Sequence, residues 1–64
     1  MHDVVASKKM RDGVEILWNE NGAVRHELYT FQELIDQQIN MLDILDRPVA
    51  YRVDTKLHRL VPKK

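Results

Sequence analysis

Apolar and polar positions alternate most cleanly over residues 14–18, where Val14, Ile16 and Trp18 share one face. A period of two predicts a strand with one buried side. Asn19-Glu20-Asn21-Gly22 follows and predicts a hairpin turn. A two-residue Asn21-Gly22 turn would set Trp18 against Arg25 and Ile16 against Glu27, so that apolar side chains face charged ones. A three-residue turn, Glu20-Asn21-Gly22, sets Trp18 against Val24, Ile16 against His26 and Val14 against Leu28. The second register keeps apolar beside apolar at both ends and is the expected one, a type I turn closed by a G1 bulge at Gly22. It sends Leu17 and Tyr29 to the outer face and makes His26 a half-buried structural residue.

Thr30-Phe31-Gln32-Glu33 reads as a capping box, in which the Thr30 hydroxyl takes the Glu33 amide and the Glu33 carboxylate takes the Thr30 amide. A helix is predicted from Phe31 to about Leu45. Phe31, Leu34, Ile35, Gln38, Leu42 and Leu45 fall within about 100° of one another at the helical period. Ile39 and Met41 flank that stripe, and Ile44 sits on the polar side. Glu33, Asp36, Asn40 and Asp43 form the wet face. Pro48 ends the run, because a proline disfavours a helical residue before it.

Alternation resumes at Val49, Tyr51 and Val53. Asp54-Thr55-Lys56 is a turn without Gly or Asn, and residues 57–61 form a further strand. Residues 1–13 have no clear period and read as a flexible lead-in or a short edge strand at Val4-Val5-Ala6. Residues 14–64 make a single α+β domain. The predicted fold is a two-layer ββαββ arrangement, one amphipathic helix packed on a small antiparallel sheet.

Length and composition narrow the class. Sixty-four residues hold one domain, which buries only about 60% of its unfolded surface and is marginally stable alone. Cysteine is absent, so disulfides and thiolate metal sites are excluded. No apolar run approaches the ~20 residues that cross a bilayer, and Met1 to Asp12 is mixed polar and lacks the apolar core of a signal peptide. The chain starts at Met1 and reads as a small cytoplasmic open reading frame, and a phage- or mobile-element-type small protein is the expectation, though no motif ties it to a family.

The net charge is zero, but its distribution is uneven. Residues 31–46 carry Glu33, Asp36, Asp43 and Asp46 and no base. Residues 47–64 carry Arg47, Arg52, Lys56, Arg59, Lys63 and Lys64 against Asp54 alone. Such polarity orients a domain toward partners without naming them. If Thr55-Lys56 are the two turn residues, Arg52 lies opposite Arg59, a destabilising pair unless an anion sits between them. Arg52, Lys56, Arg59, Lys63 and Lys64 are therefore the candidate anion or nucleic-acid site.

Catalytic signatures are missing. There is no glycine-rich phosphate loop and no cysteine nucleophile, the lone Ser7 lies in the lead-in, and His2, His26 and His58 fall in three different elements. No enzyme activity, cofactor, metal or small-molecule substrate is expected. Leu17 and Tyr29 on the outer sheet face, and Ile44 on the polar side of the helix, are apolar residues left without a core role. Burying one such side chain contributes about 1.5–3 kcal/mol, a large share of the stability of so small a domain. They are the candidate protein-interaction residues, and a homodimer is the expected assembly. The sequence thus points to a small regulator or adaptor that binds another protein or itself, with nucleic-acid binding as the alternative and no membrane partner.

Overall fold

Asn21 and Gly22 both adopt positive φ, 54° and 81°, and together form a two-residue turn of the mirror-image type that matches strand twist. This turn joins β2 (Gly13–Glu20) to β3 (Ala23–Thr30) with Glu20 opposite Ala23, Trp18 opposite Arg25 and Val14 opposite Tyr29. The three-residue register is therefore corrected. Pairing apolar residues across the hairpin carried less weight than turn geometry, because β3 is the end strand of the sheet and only its Tyr29 end lies buried in the core.

Residues 1–13 are also corrected. His2–Lys9 form β1, the middle strand of a five-stranded antiparallel sheet ordered β3-β2-β1-β4-β5 in the computed structural model, which describes residues 1–63. β1 pairs with β2 from Val4 opposite Trp18 to Lys9 opposite Val14, with a bulge between Val4 and Ala6. Before the bulge the even residue Val4 faces the core; beyond it the odd residue Ser7 shares a face with Ile16. A bulge adds one residue and reverses the facing, which is why no period could be read there. The Ser7 hydroxyl donates to the Ile44 carbonyl at 2.8 Å and ties β1 to the helical layer.

The capping box at Thr30 forms as expected: the Glu33 N–H donates to Thr30 Oγ1 at 3.1 Å and the Thr30 N–H to Glu33 Oε1 at 2.9 Å. The single helix does not. It divides into α1 (Phe31–Asp36) and α2 (Met41–Asp46) around Gln38, whose φ is 58°. The Gln38 N–H donates to the Ile35 carbonyl and the Ile39 N–H to the Leu34 carbonyl, which is the Schellman ending of a helix. Leu34 and Ile39, the pair such an ending brings together, are both buried. Asn40 then caps α2 by accepting the Asp43 N–H at 3.1 Å. The break rotates α2, so Ile44 is fully buried while Leu42, expected on the apolar stripe, is 73% exposed. The predicted ββαββ order is thus corrected to three strands, two short helices and two strands, within the same mixed α+β class.

Pro48 ends α2 as expected and opens a 3₁₀ turn, Pro48–Ala50, ahead of β4 (Tyr51–Asp54) and β5 (Arg59–Pro62). Val49 lies in that turn and is exposed, whereas Tyr51 and Val53 enter the core with Leu60. The core has two sides. Val4, Val14, Ile16, Trp18, Tyr29, Tyr51, Val53 and Leu60 come from one face of the sheet, and Leu34, Ile39 and Ile44 from the helices.

The left-handed Gln38 gives a discriminating experiment. Gln38→Gly should raise the urea midpoint by an amount equivalent to about 1 kcal/mol, because glycine adopts αL without steric cost. In a continuous 31–45 helix the same change would cost about 1 kcal/mol. A destabilised variant therefore counts against the broken helix.

Candidate functional site

The sequence-predicted residues do not assemble into one surface. Tyr29 and Ile44 are fully buried. Tyr29 faces inward because the two-residue turn sets it opposite Val14, and its ring stacks on His58 with centroids 4.0 Å apart and planes within 7°. Burial first, and the neighbouring Glu27 carboxylate second, push its phenol pKa far up. Ile44 faces inward because the helix breaks. Their expected outward placement is corrected, and neither offers a side chain to a partner. Leu17 does lie on the outer sheet face, half-buried between Ala6 of β1 and His26 of β3. His26 is exposed there and contacts Glu15 at 3.0 Å, rather than being half-buried against Ile16.

His58 fills the gap between the two ends of the fold. It stands in a left-handed conformation, with Nδ1 3.0 Å from Glu27 and Nε2 3.1 Å from Glu33. Gln37 locks the same loop, donating from Nε2 to the His58 carbonyl and accepting the Leu60 N–H at Oε1, each at 2.9 Å. Its amide thereby occupies the His58 carbonyl of the turn and the Leu60 N–H of β5, as a neighbouring strand would.

That loop sets the second hairpin's register and dissolves the predicted arginine pair. Residues 55–58 form the connection, so Arg52 opposes Val61 and Arg59 opposes Asp54. Asp54 Oδ1 accepts the Lys56 and Leu57 N–H groups and shapes the turn. Arg52 turns to Asp3, its Nε 3.0 Å from Oδ1, and Lys63 approaches the same oxygen at 3.5 Å. An anion does sit beside Arg52, but it belongs to β1 of the same chain. Lys56 is exposed on the turn, and Lys64 lies outside the described residues.

The acidic helices are committed in a similar way. Glu33 caps α1 and Gln32 donates to Asp36. Asp43 accepts from the Tyr51 hydroxyl and from Arg47 Nε at 2.9 Å, which fastens α2 to β4 and holds the Asp43 carboxyl below its ordinary range.

What remains open is a groove that sequence reasoning missed. It has a volume of about 550 Å³ and lies between the β1–β2 turn and the two helices. Met10, Phe31, Leu34, Ile35, Ile39 and Met41 line it, with Lys9 and Arg11 beside them. The helix break opens it, since the chain turns away after α1 and leaves Ile35 66% exposed. Neither Lys9 nor Arg11 forms an ion pair among the described residues. The signal in the sequence was the Lys8, Lys9, Arg11 cluster around Met10; its apolar neighbours come from residues more than twenty positions away. Among the described residues no three His, Asp or Glu side chains are grouped to hold a metal, and no helix is long and apolar enough to cross a membrane.

The Asp3 contact is open to titration. The Arg52 hydrogen bond first, and the Lys63 charge second, hold the Asp3 carboxyl below the ordinary aspartate range. A depressed folded pKa means the tie stabilises the fold above the unfolded carboxyl range and is lost as pH falls through the folded value. Carboxyl NMR should place the Asp3 midpoint below that of a free aspartate, and Arg52→Ala should raise it. A midpoint unmoved by that change would mean that Arg52 does not hold Asp3.

No protein-family model, curated protein or solved structure matches the chain.

Proposed function

We propose that this chain is a non-catalytic protein-interaction module, a small regulator or adaptor, that docks an acidic amphipathic segment of a partner protein in the groove beside α1. The groove carries the reading: an apolar floor flanked by two cations with no ion-pair partners suits an apolar helix face bearing carboxylates. Met10 and Met41 add unbranched, adaptable side chains to that floor. Ile35 is the natural anchor contact, as the groove residue most open to solvent among the helical ones that line it.

The charge arrangement favours a protein partner over nucleic acid. Arg52 and Lys63 share Asp3, and Arg59 stands across from Asp54, so among the described residues these cations face carboxylates of the same chain, which speaks against a continuous track for phosphates.

Selection from a displayed peptide library tests this. Enriched peptides should place apolar residues at i, i+3 or i+4 among Asp and Glu. Their binding should weaken about tenfold, equivalent to ~1.4 kcal/mol, in Ile35→Glu, and similarly in the Lys9→Glu/Arg11→Glu double variant, while the unfolding midpoint of each stays near that of the parent. Enrichment of basic peptides, or binding indifferent to all three positions, overturns the reading.

A further inference from the structure

We propose that the chain pairs with a second copy of itself along the outer edge of β3, in one register centred on His26, to make a continuous ten-stranded sheet. This goes beyond the groove reading and uses a different surface.

The two ends of the sheet are not alike. At β5 the Gln37 side chain takes the His58 carbonyl and the Leu60 N–H, so that edge is partly occupied. β3 is the other end strand and is eight residues long. The two-residue turn makes Glu20 and Ala23 a hydrogen-bonded pair, so Ala23, Arg25, Glu27 and Tyr29 direct their backbone groups at β2. Val24, His26, Leu28 and Thr30 then direct theirs outward. The Thr30 N–H confirms that parity, because it leaves the sheet and donates to Glu33 Oε1. The outward N–H groups of Val24, His26 and Leu28 have no hydrogen-bond partner among the described residues. A long strand with free outward groups is a template for another strand.

The side chains on this edge choose the partner and the register. Antiparallel self-pairing must oppose outward groups to outward groups, which excludes every register that sets His26 against Arg25 or Glu27. Centring on Arg25 stacks two guanidinium groups, and centring on Glu27 stacks two carboxylates; like charges directly opposite are destabilising. Centring on His26 sets Arg25 against the partner copy's Glu27, and Glu27 against its Arg25. The same register sets Val24 against Leu28 in both halves, and these are 62% and 40% exposed in the single chain. The three opposed pairs Val24–Leu28, His26–His26 and Leu28–Val24 exchange about six backbone hydrogen bonds. The two central histidines each keep Glu15 at 3.0 Å. Glu27 keeps Oε1 on His58 and has its second oxygen for the arginine. The strand is thus self-complementary about one residue in charge, apolar contact and hydrogen-bond parity, as a two-fold interface requires.

Charge exchange tests the register. The parent should sediment at twice 7.6 kDa. Arg25→Glu alone and Glu27→Arg alone each oppose like charges twice and should raise the dissociation constant about tenfold or more, equivalent to ~1.4 kcal/mol or more. An equimolar mixture of the two variants should restore the dimer, because each supplies the charge the other lacks. Hydrogen exchange provides a readout independent of side chains: the Val24, His26 and Leu28 amides should be protected at high concentration and exposed on dilution. A parent that stays monomeric, dimers indifferent to both charge changes, or no recovery on mixing overturns the proposal. The two proposals fail separately, since a monomer that still binds acidic peptides leaves the groove reading standing, and a dimer that binds none leaves this one.

Discussion

β1 holds the two halves of the chain together, and its bulge is the constraint on which the rest depends. It pairs with β2 along most of its length but with β4 only at His2–Val53 and Asp3–Arg52. Past Asp3 no pairing with β4 continues, and the helical layer joins the strand there through the Ser7–Ile44 bond. The bulge lets Val4 and Ser7 both face inward although they are three positions apart. Without it, Ala6 would face the core in place of Ser7, and the Ser7 hydroxyl would turn away from the Ile44 carbonyl. Because the middle strand comes first in sequence and its neighbours are far apart in the chain, the sheet closes only when both hairpins have found it.

The helical layer answers to the same geometry. A straight helix from Phe31 to Leu45 would put Ile44 on its wet side. Breaking it at Gln38 brings Leu34 and Ile39 together and seats Ile44 against β1. A non-glycine residue in αL is unfavourable, by roughly 1–2 kcal/mol, and burial of two isoleucines offsets that at about 1.5–3 kcal/mol each. The break also leaves the apolar groove beside α1. One backbone decision thus serves packing and opens the groove to which the proposed function is assigned.

Among the described residues, Arg47, Arg52 and Lys63 are the lysines and arginines that pair within the chain. Asp3 takes Arg52 and Lys63, Asp43 takes Tyr51 and Arg47, and His58 stands between Glu27 and Glu33. Of the acidic middle, Asp43 meets Arg47 one helical turn away and Glu33 lies against His58, while Arg52 and Lys63 of the basic end turn to Asp3 of β1 instead. Lys9, Arg11 and Arg25 form no ion pair among the described residues, and the two proposed surfaces rest on them.

Several features were legible in the residues because they are local. The Thr30–Glu33 capping box closes over four residues, the inward Val14, Ile16 and Trp18 follow from period two, and Pro48 stops α2. The mixed α+β class follows from the same patterns. β1 was illegible because a bulge cancels the alternation that marks a strand. The helix break was illegible because its αL position carries Gln rather than Gly. The candidate site fared worse: of Leu17, Tyr29 and Ile44 only Leu17 keeps the face expected of it, and the Arg52–Arg59 pair vanished when Gln37 and Asp54 set a longer turn. Local chemistry decides caps, turns and alternating faces, since each is closed by neighbours in the chain. Register, facing beyond a bulge and the pairing of distant charges are decided by tertiary contacts, since there the competing arrangements differ only in what they meet across the fold.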